Sequence, residues 1–195
     1  MDKIENNIID ESERERIILD NSHSPKTVFI FDLFKTIMFP LAFIAFFLCF
    51  ILRPVTVDGS SMNDTLYDGD KVLLTNMFYT PQSGDIVVVA HGGNLQKRIV
   101  KRVIATEGQS IKIDYTTGDV YVDGIIIDEP YIKGTTTKPV TAYDIPDVIP
   151  NGMVFVMGDN RPISADSRSS NVGLIPANDI IGKANFIVFP RFTVL

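Results

Sequence analysis

Thr36 through Leu52 carries no charged residue and is built largely from Phe, Leu and Ile. Coiled as a helix, that run rises roughly 25 Å, a little short of a hydrocarbon core of about 30 Å. Val28–Phe34 lengthens it, which brings Asp32 and Lys35 near an interface, where a lysine can snorkel. Pro40 falls near the start of the uncharged run, where a kink is tolerable. The chain is 45% hydrophobic, and the excess is concentrated in this one region. A cleaved leader is a poor match: the preceding region is long, the apolar run is too long, and no small-residue cleavage pattern follows. A soluble core helix is the other alternative, but it would have to be apolar on every face. The pattern therefore predicts a membrane anchor over residues 28–53. Lys3, Arg14, Arg16, Lys26 and Lys35 precede it, and only Arg53 follows closely, with Lys71 next. That bias puts the N-terminus in the cytoplasm and residues 54–195 outside, in a single-pass arrangement at the cell membrane. Residues 1–27 are rich in acids with no sustained helical stripe, and read as a solvated cytoplasmic tail.

Beyond Pro54 the chain changes to short β-rich runs broken by turn formers. Strands are expected over Val72–Thr75, Asp85–Ala90, Arg98–Thr106, Ile111–Tyr115, Val120–Val122, Ile125–Ile127, Met153–Met157 and Ile180–Phe189. Asp123-Gly124 between two of them is a two-residue hairpin signal. The stretch Thr135–Pro150 has three prolines and little periodicity, and reads as an extended loop. No second amphipathic helix is evident. The fold class is mainly β: a transmembrane helix followed by an antiparallel all-β exported domain.

Composition removes several function classes. A net charge of −6 with no dominant basic patch argues against nucleic acid as a partner. The single cysteine, Cys49, lies in the apolar run and has no intrachain disulfide partner, and the ligands for a structural zinc are lacking. No metal or organic cofactor is expected. Of two histidines, His23 precedes the anchor, and His91 sits in the turn-like His91-Gly92-Gly93-Asn94. A Ser-His-Asp triad through His91 remains an alternative at this level.

The main candidates lie elsewhere. Ser61 sits in Gly59-Ser60-Ser61-Met62, where glycine lets the backbone turn sharply and backbone N–H groups can converge on an oxyanion. A hydroxyl is a weak nucleophile and needs a base. Lys101 lies in the apolar run Ile99–Ala105. In a strand it shares a face with Ile99, Val103 and Ala105, whereas Arg102 shares the other with Val100 and Ile104. One of the two cations must therefore lie on an apolar face, and a lysine can neutralise whereas an arginine stays charged. The alternative is an edge strand from which both long side chains reach water. A third segment, Gly158 through Arg168, is dense in hydrogen-bonding groups. Asp166 and Arg168 point to the same side of an extended chain and can pair, with Ser164 on that side too; the alternative is a polar surface loop.

Taken in order, these segments resemble the type I signal peptidases of Gram-positive bacteria. Ser61-Met62-Asn63-Asp64-Thr65-Leu66 resembles the serine box, and Ser83-Gly84-Asp85-Ile86-Val87-Val88-Val89 the strand box. Val100-Lys101-Arg102-Val103-Ile104-Ala105 resembles the lysine box, and Gly158–Arg161 with Ser164–Arg168 the last box. The resemblance implies a membrane-bound serine endopeptidase with a Ser-Lys dyad that cleaves signal peptides from exported preproteins. It implies Ser61 as nucleophile, Lys101 as general base and Ser164 as the residue orienting the lysine amine. Asp166 and Arg168 would form a supporting ion pair, and Asp159 would help hold the loop. It also implies small residues at substrate positions −1 and −3, and a smaller β insertion at about 108–150. The expected partners are preprotein signal peptides and the lipid bilayer.

Two positions depart from the family pattern. Asp64 stands where Pro is usual, and an Asx turn by Asn63 or Asp64 would replace the stiffness that Pro supplies. Gly59 stands where some relatives carry a side-chain oxyanion donor, which leaves that role to backbone N–H groups, that of Ser61 foremost. Asp64 keeps two other readings open: a non-catalytic accessory protein in surface-structure assembly, and a peptidase dedicated to a narrow substrate set.

Overall fold

The computed structural model describes residues 25–77 and 79–195, so most of the expected N-terminal tail, His23 included, lies outside the described residues. Helix α1 (Pro25–Ile51) starts at a proline, which the first turn accommodates because its N–H would be unpaired there anyway. Apolar side chains point outward on every side from Val28 to Phe46. Lys26–Phe46 is long and apolar enough to cross a membrane, and none of it is buried. Thr36 Oγ1 donates to the Asp32 carbonyl at 2.7 Å, and Lys35 Nζ stands 4.6 Å from the Phe31 ring centroid. Thr36 and Lys35 thus have partners within the helix itself. The helix covers residues 25–27, expected in the tail, and ends two residues before the expected limit of 53.

The remaining body is built from antiparallel strands. The larger sheet has the order β1 (Leu52–Thr56), β2 (Lys71–Thr75), β10 (Ile180–Phe189), β3 (Ile86–Val89), β4 (Ile99–Thr106), β8 (Met153–Met157), β9 (Ile175–Pro176), with β11 (Thr193–Val194) paired to β10. Strands β1, β9 and β11 were not foreseen. Two are only two residues long, and β1 follows so closely on an apolar helix that its pattern merges with the anchor's. Strand β10 pairs with both β2 and β3, and register shifts along it at Ile180/Gly182, Ala184/Phe186 and Ile187/Phe189 bend it to do so. A side chain at Gly182 would come within 2.6 Å of the Thr75 carbonyl oxygen, so only glycine lets β2 and β10 approach this closely.

A separate three-stranded sheet, β5 (Ile111–Ile113), β6 (Val120–Val122) and β7 (Ile125–Ile126), lies within the segment 108–150. Asp123 and Gly124 both have positive φ, 52° and 77°, as the expected tight hairpin requires. Residues 135–150 carry no strand beyond an isolated bridge from Ala142 to Ser169.

Strand β4 sits between β3 and β8 and is not an edge strand, which removes the alternative of two solvated side chains. Its register shift between Val103 and Ala105 breaks the simple alternation. Val103 packs with Val87, Val154 and Val156, whereas Ile104 and Ala105 both join Phe155, Met157, Val120 and Val122. That last cluster fastens the small sheet to the large one through the fully buried Phe155 ring. Phe155→Ala is expected to lower unfolding free energy by about 3–5 kcal/mol. Denaturant titration of the detergent-solubilised chain checks this, and the small sheet should gain protease sensitivity first.

Candidate active site

Ser61 is carried on a turn between β1 and β2. Gly59 adopts φ 89° and donates its N–H to Asp68 Oδ1 at 2.8 Å. Just beyond the serine, Met62 and Leu66 are fully buried in the core, with Leu66 N–H donating to the Met62 carbonyl at 2.9 Å. Apolar burial thus pins the turn from below. Polar contacts pin it from the side: Thr65 Oγ1 donates to Asp159 Oδ2 at 2.5 Å, and Asn160 N–H donates to the Ser61 carbonyl at 3.0 Å.

Lys101 arrives from β4, where it pairs in register with Val87. Its Nζ lies 2.6 Å from Ser61 Oγ and donates to the Val100 carbonyl at 2.9 Å. The residue is 3% exposed. Burial pushes its pKa down from the usual 10.5 to about 8, against an upward pull from Asp166 and Asp159. Lys97 and Arg168 push in the same direction as burial. A cleft opens over the pair between Val57–Met62 on one wall and Lys97–Lys101 on the other, with Ile163 and Ala165 beside them. His91 is exposed and does not line this cleft, so the His91 triad is set aside.

Arg102 is also buried, which the either-or argument from strand faces did not anticipate. It keeps its charge by pairing: Nε and Nη2 donate to Asp159 Oδ1 and Oδ2 at 2.9 and 2.7 Å, and the guanidinium stacks 3.8 Å from the Tyr131 ring centroid. Asp166 and Arg168 form a second buried two-point pair, at 2.8 Å for both contacts, not a surface one. Asp166 Oδ2 also accepts from Gly158 N–H at 3.0 Å, and Arg168 Nη2 donates to the Arg161 carbonyl at 2.8 Å. A third pair, Arg161 with Glu129, is buried beside them, and Arg161 Nη1 also donates to Thr136 Oγ1 at 2.8 Å. Sequence reasoning missed two pairings, Arg102 with Asp159 and Arg161 with Glu129. The one available signal was a second charge beside Lys101 in an apolar strand, which demands a buried counter-ion without saying which.

Ser164 does not hold the lysine amine here. Its Oγ is buried with no hydrogen-bond partner among the described residues, and it packs against Gly158 next to the Ser61 carbonyl. Nor does an Asx turn form. Asn63 Oδ1 is buried without a partner among the described residues, and Asp64 Oδ1 instead pairs with Lys133 Nζ at 2.9 Å, both well exposed. Asp64 is not among the charges that act on Lys101.

Comparison with known proteins supplies the family. A family model described as signal peptidase, peptidase S26, matches residues 30–189. Signal peptidase I of Bacillus amyloliquefaciens is 34% identical over 165 residues, covering 80% of this chain and 83% of its own. Probable signal peptidase I-1 of Synechocystis sp. is 38% identical over 167 residues, covering 77% and 81%. Signal peptidase IB of Staphylococcus aureus is 35% identical over 169 residues, covering 77% and 85%.

The tightest packing in the site is at Gly158. A Cβ there would collide with Ser164 Oγ and stand 2.5 Å from the Ser61 carbonyl oxygen. Gly158→Ala is therefore expected to displace the serine turn and to lower kcat on the order of 100-fold. A melting temperature that falls only slightly, measured beside the kinetics, would separate this displacement from unfolding.

Proposed function

Because the chain belongs to the signal peptidase family, peptidase S26, we propose that it cleaves signal peptides from exported preproteins with Ser61 as nucleophile and Lys101 as general base. The contact of 2.6 Å between a buried Lys101 Nζ and Ser61 Oγ is the observation that carries this reading. With the amine neutral, Ser61 O–H donates to Nζ and passes its proton there as Oγ attacks the scissile carbonyl. The oxyanion that forms is met by backbone N–H groups at the turn, that of Ser61 foremost. As the tetrahedral species collapses, the C–N bond breaks and the lysine ammonium returns its proton to the leaving amine. An acyl-enzyme on Ser61 remains. Lys101, neutral again, takes a proton from water as its oxygen attacks the ester; the Oγ–acyl bond then breaks, the ammonium returns a proton to Ser61 Oγ, and the signal peptide leaves as a carboxylate.

Asp159, Asp166 and Arg168 act at one remove. Each carboxylate is engaged by its own arginine, which supports a Lys101 able to lose its proton. In this reading Ser164 moves into contact with the amine during turnover, since it already lies beside the Ser61 carbonyl. The non-catalytic alternative rested on Asp64, and it loses support because Asp64 is drawn outward to Lys133 while the Ser61–Lys101 contact is intact. Helix α1 would span the membrane with the N-terminus cytoplasmic and residues 54–195 outside. Substrate and enzyme then share one bilayer, which raises their effective concentration.

Ser61→Ala and Lys101→Met are each expected to lower preprotein cleavage by about 10⁴-fold or more with no loss of melting temperature. Retained cleavage in either variant, assayed in lipid or detergent, would overturn the dyad. A second expectation concerns pH. Only the neutral amine is a base, so acylation should rise with pH and level off above about 8. The stability effect has a matching sign. The folded state binds fewer protons than the unfolded state between about pH 8 and 10.5, so Lys101 makes stability rise with pH across that window. A single-turnover acylation profile flat from pH 6 to 10 would exclude lysine as the base.

A further inference from the structure

The loop after β8 does more than carry Ser164 and its ion pairs. Asn160 is 8% exposed and contacts the serine turn twice. Its backbone N–H donates to the Ser61 carbonyl at 3.0 Å, and its side-chain Nδ2 donates to the Ser60 carbonyl at 3.1 Å. Only the amide nitrogen of that side chain can face a carbonyl oxygen, so the donor assignment is unambiguous. The Asn160 carbonyl in turn accepts from Ile163 and Ser164 N–H at 3.3 and 3.1 Å. The residue is itself clamped from behind: Lys133 N–H donates to the Asp159 carbonyl at 2.8 Å, and Arg161 N–H donates to the Lys133 carbonyl at 3.1 Å.

The consequence follows from peptide geometry. The Ser60–Ser61 peptide bond is not among the cis bonds of this chain, so its C=O and N–H are coplanar and point in opposite directions. Ser60 and Ser61 line the cleft, whereas Asn160 does not. Tying the Ser60 carbonyl to Asn160 turns the Ser61 N–H the other way, toward the cleft. Among the described residues that N–H donates to no protein acceptor. The Ser60 carbonyl also accepts from Asn63 N–H at 3.2 Å, but Asn63 belongs to the same turn and moves with it. Asn160 is the anchor from outside.

We propose that Asn160 is a positioning residue for the oxyanion site: its side-chain amide, by holding the Ser60 carbonyl, aims the Ser61 N–H at the substrate carbonyl oxygen. This rests on the Ser61–Lys101 reading and deepens it. Gly59 offers no side-chain donor two residues before the nucleophile, so this chain depends on backbone orientation at that point.

The test compares wild type with Asn160→Ala in the full-length, lipid-reconstituted protein. Expected are a kcat lower by about 10–100-fold, a KM within about twofold and an unshifted pH midpoint, because the base is untouched. A peptide ending in alaninal, which forms a tetrahedral adduct with Ser61, should lose affinity by a similar factor, whereas the corresponding peptide alcohol should not. Should Asn160→Ala fail to fold, Asn160→Asp keeps the shape while removing the donor. It should show the same split between aldehyde and alcohol. Equal losses for both ligands, or unchanged kcat and aldehyde affinity, would overturn the proposal. Ser61→Ala is the control that separates the two levels. If it still cleaves, the dyad reading fails; if it is inactive while the Asn160 variants behave as wild type, only the inference about Asn160 fails.

Discussion

A primary amine buried beside a hydroxyl, with no carboxylate of its own, is the contact on which the rest of this structure depends. Lys101 lies 2.6 Å from Ser61 Oγ in a strand covered on both sides. Burial alone would push its pKa down, but a carboxylate in direct contact would raise it again and lock the amine as a cation. The two acids that pull on Lys101 are Asp166 and Asp159. Each is held at two points by an arginine, Asp166 by Arg168 and Asp159 by Arg102. Their negative charge is largely spent locally, and the lysine keeps a pKa of about 8.

The buried ion pairs are therefore better understood through electrostatic arrangement than through stability. Buried pairs are weak stabilisers, because desolvation offsets most of the attraction, but breaking one strands a charge at a cost of about 3–5 kcal/mol. Here Arg102–Asp159, Arg161–Glu129 and Arg168–Asp166 are three buried pairs close to the Ser61 turn. The same residues also supply its hydrogen bonds. Asp159 accepts from Thr65, Asp166 accepts from Gly158, and Asn160 lies between them against Ser60 and Ser61. One loop thus sets both the charge around Lys101 and the position of Ser61. The small sheet is fastened to the same body through Phe155, and Glu129 from the segment following β7 reaches Arg161.

Much of the architecture was legible in the chain. The uncharged run, the turn dipeptides and the β-branched runs predicted one apolar helix and eight strands. The strands they missed are short or merge with the anchor. Ser61 stood out by its glycine turn, Lys101 by its charge in an apolar run, and Asp166 and Arg168 by their strand spacing. Arg102 and Asp159 could not be matched, since their separation of 57 residues leaves no periodic trace. Asn160 gave no signal beyond turn propensity. Strand alternation also misled: it required one buried cation in β4, and the structure buries two because a counter-ion arrives from another loop.

The sequence by itself determined which segments are apolar, where the chain turns and which residue types stand ready for chemistry, because those are local properties of side chain and backbone. Tertiary structure alone decided that Lys101 meets Ser61 from forty positions away in the chain, that each arginine finds its own carboxylate, and that Ser60's carbonyl turns toward Asn160. These outcomes depend on distance and on the dielectric of a packed interior. Both arise only when segments remote in sequence exclude water together.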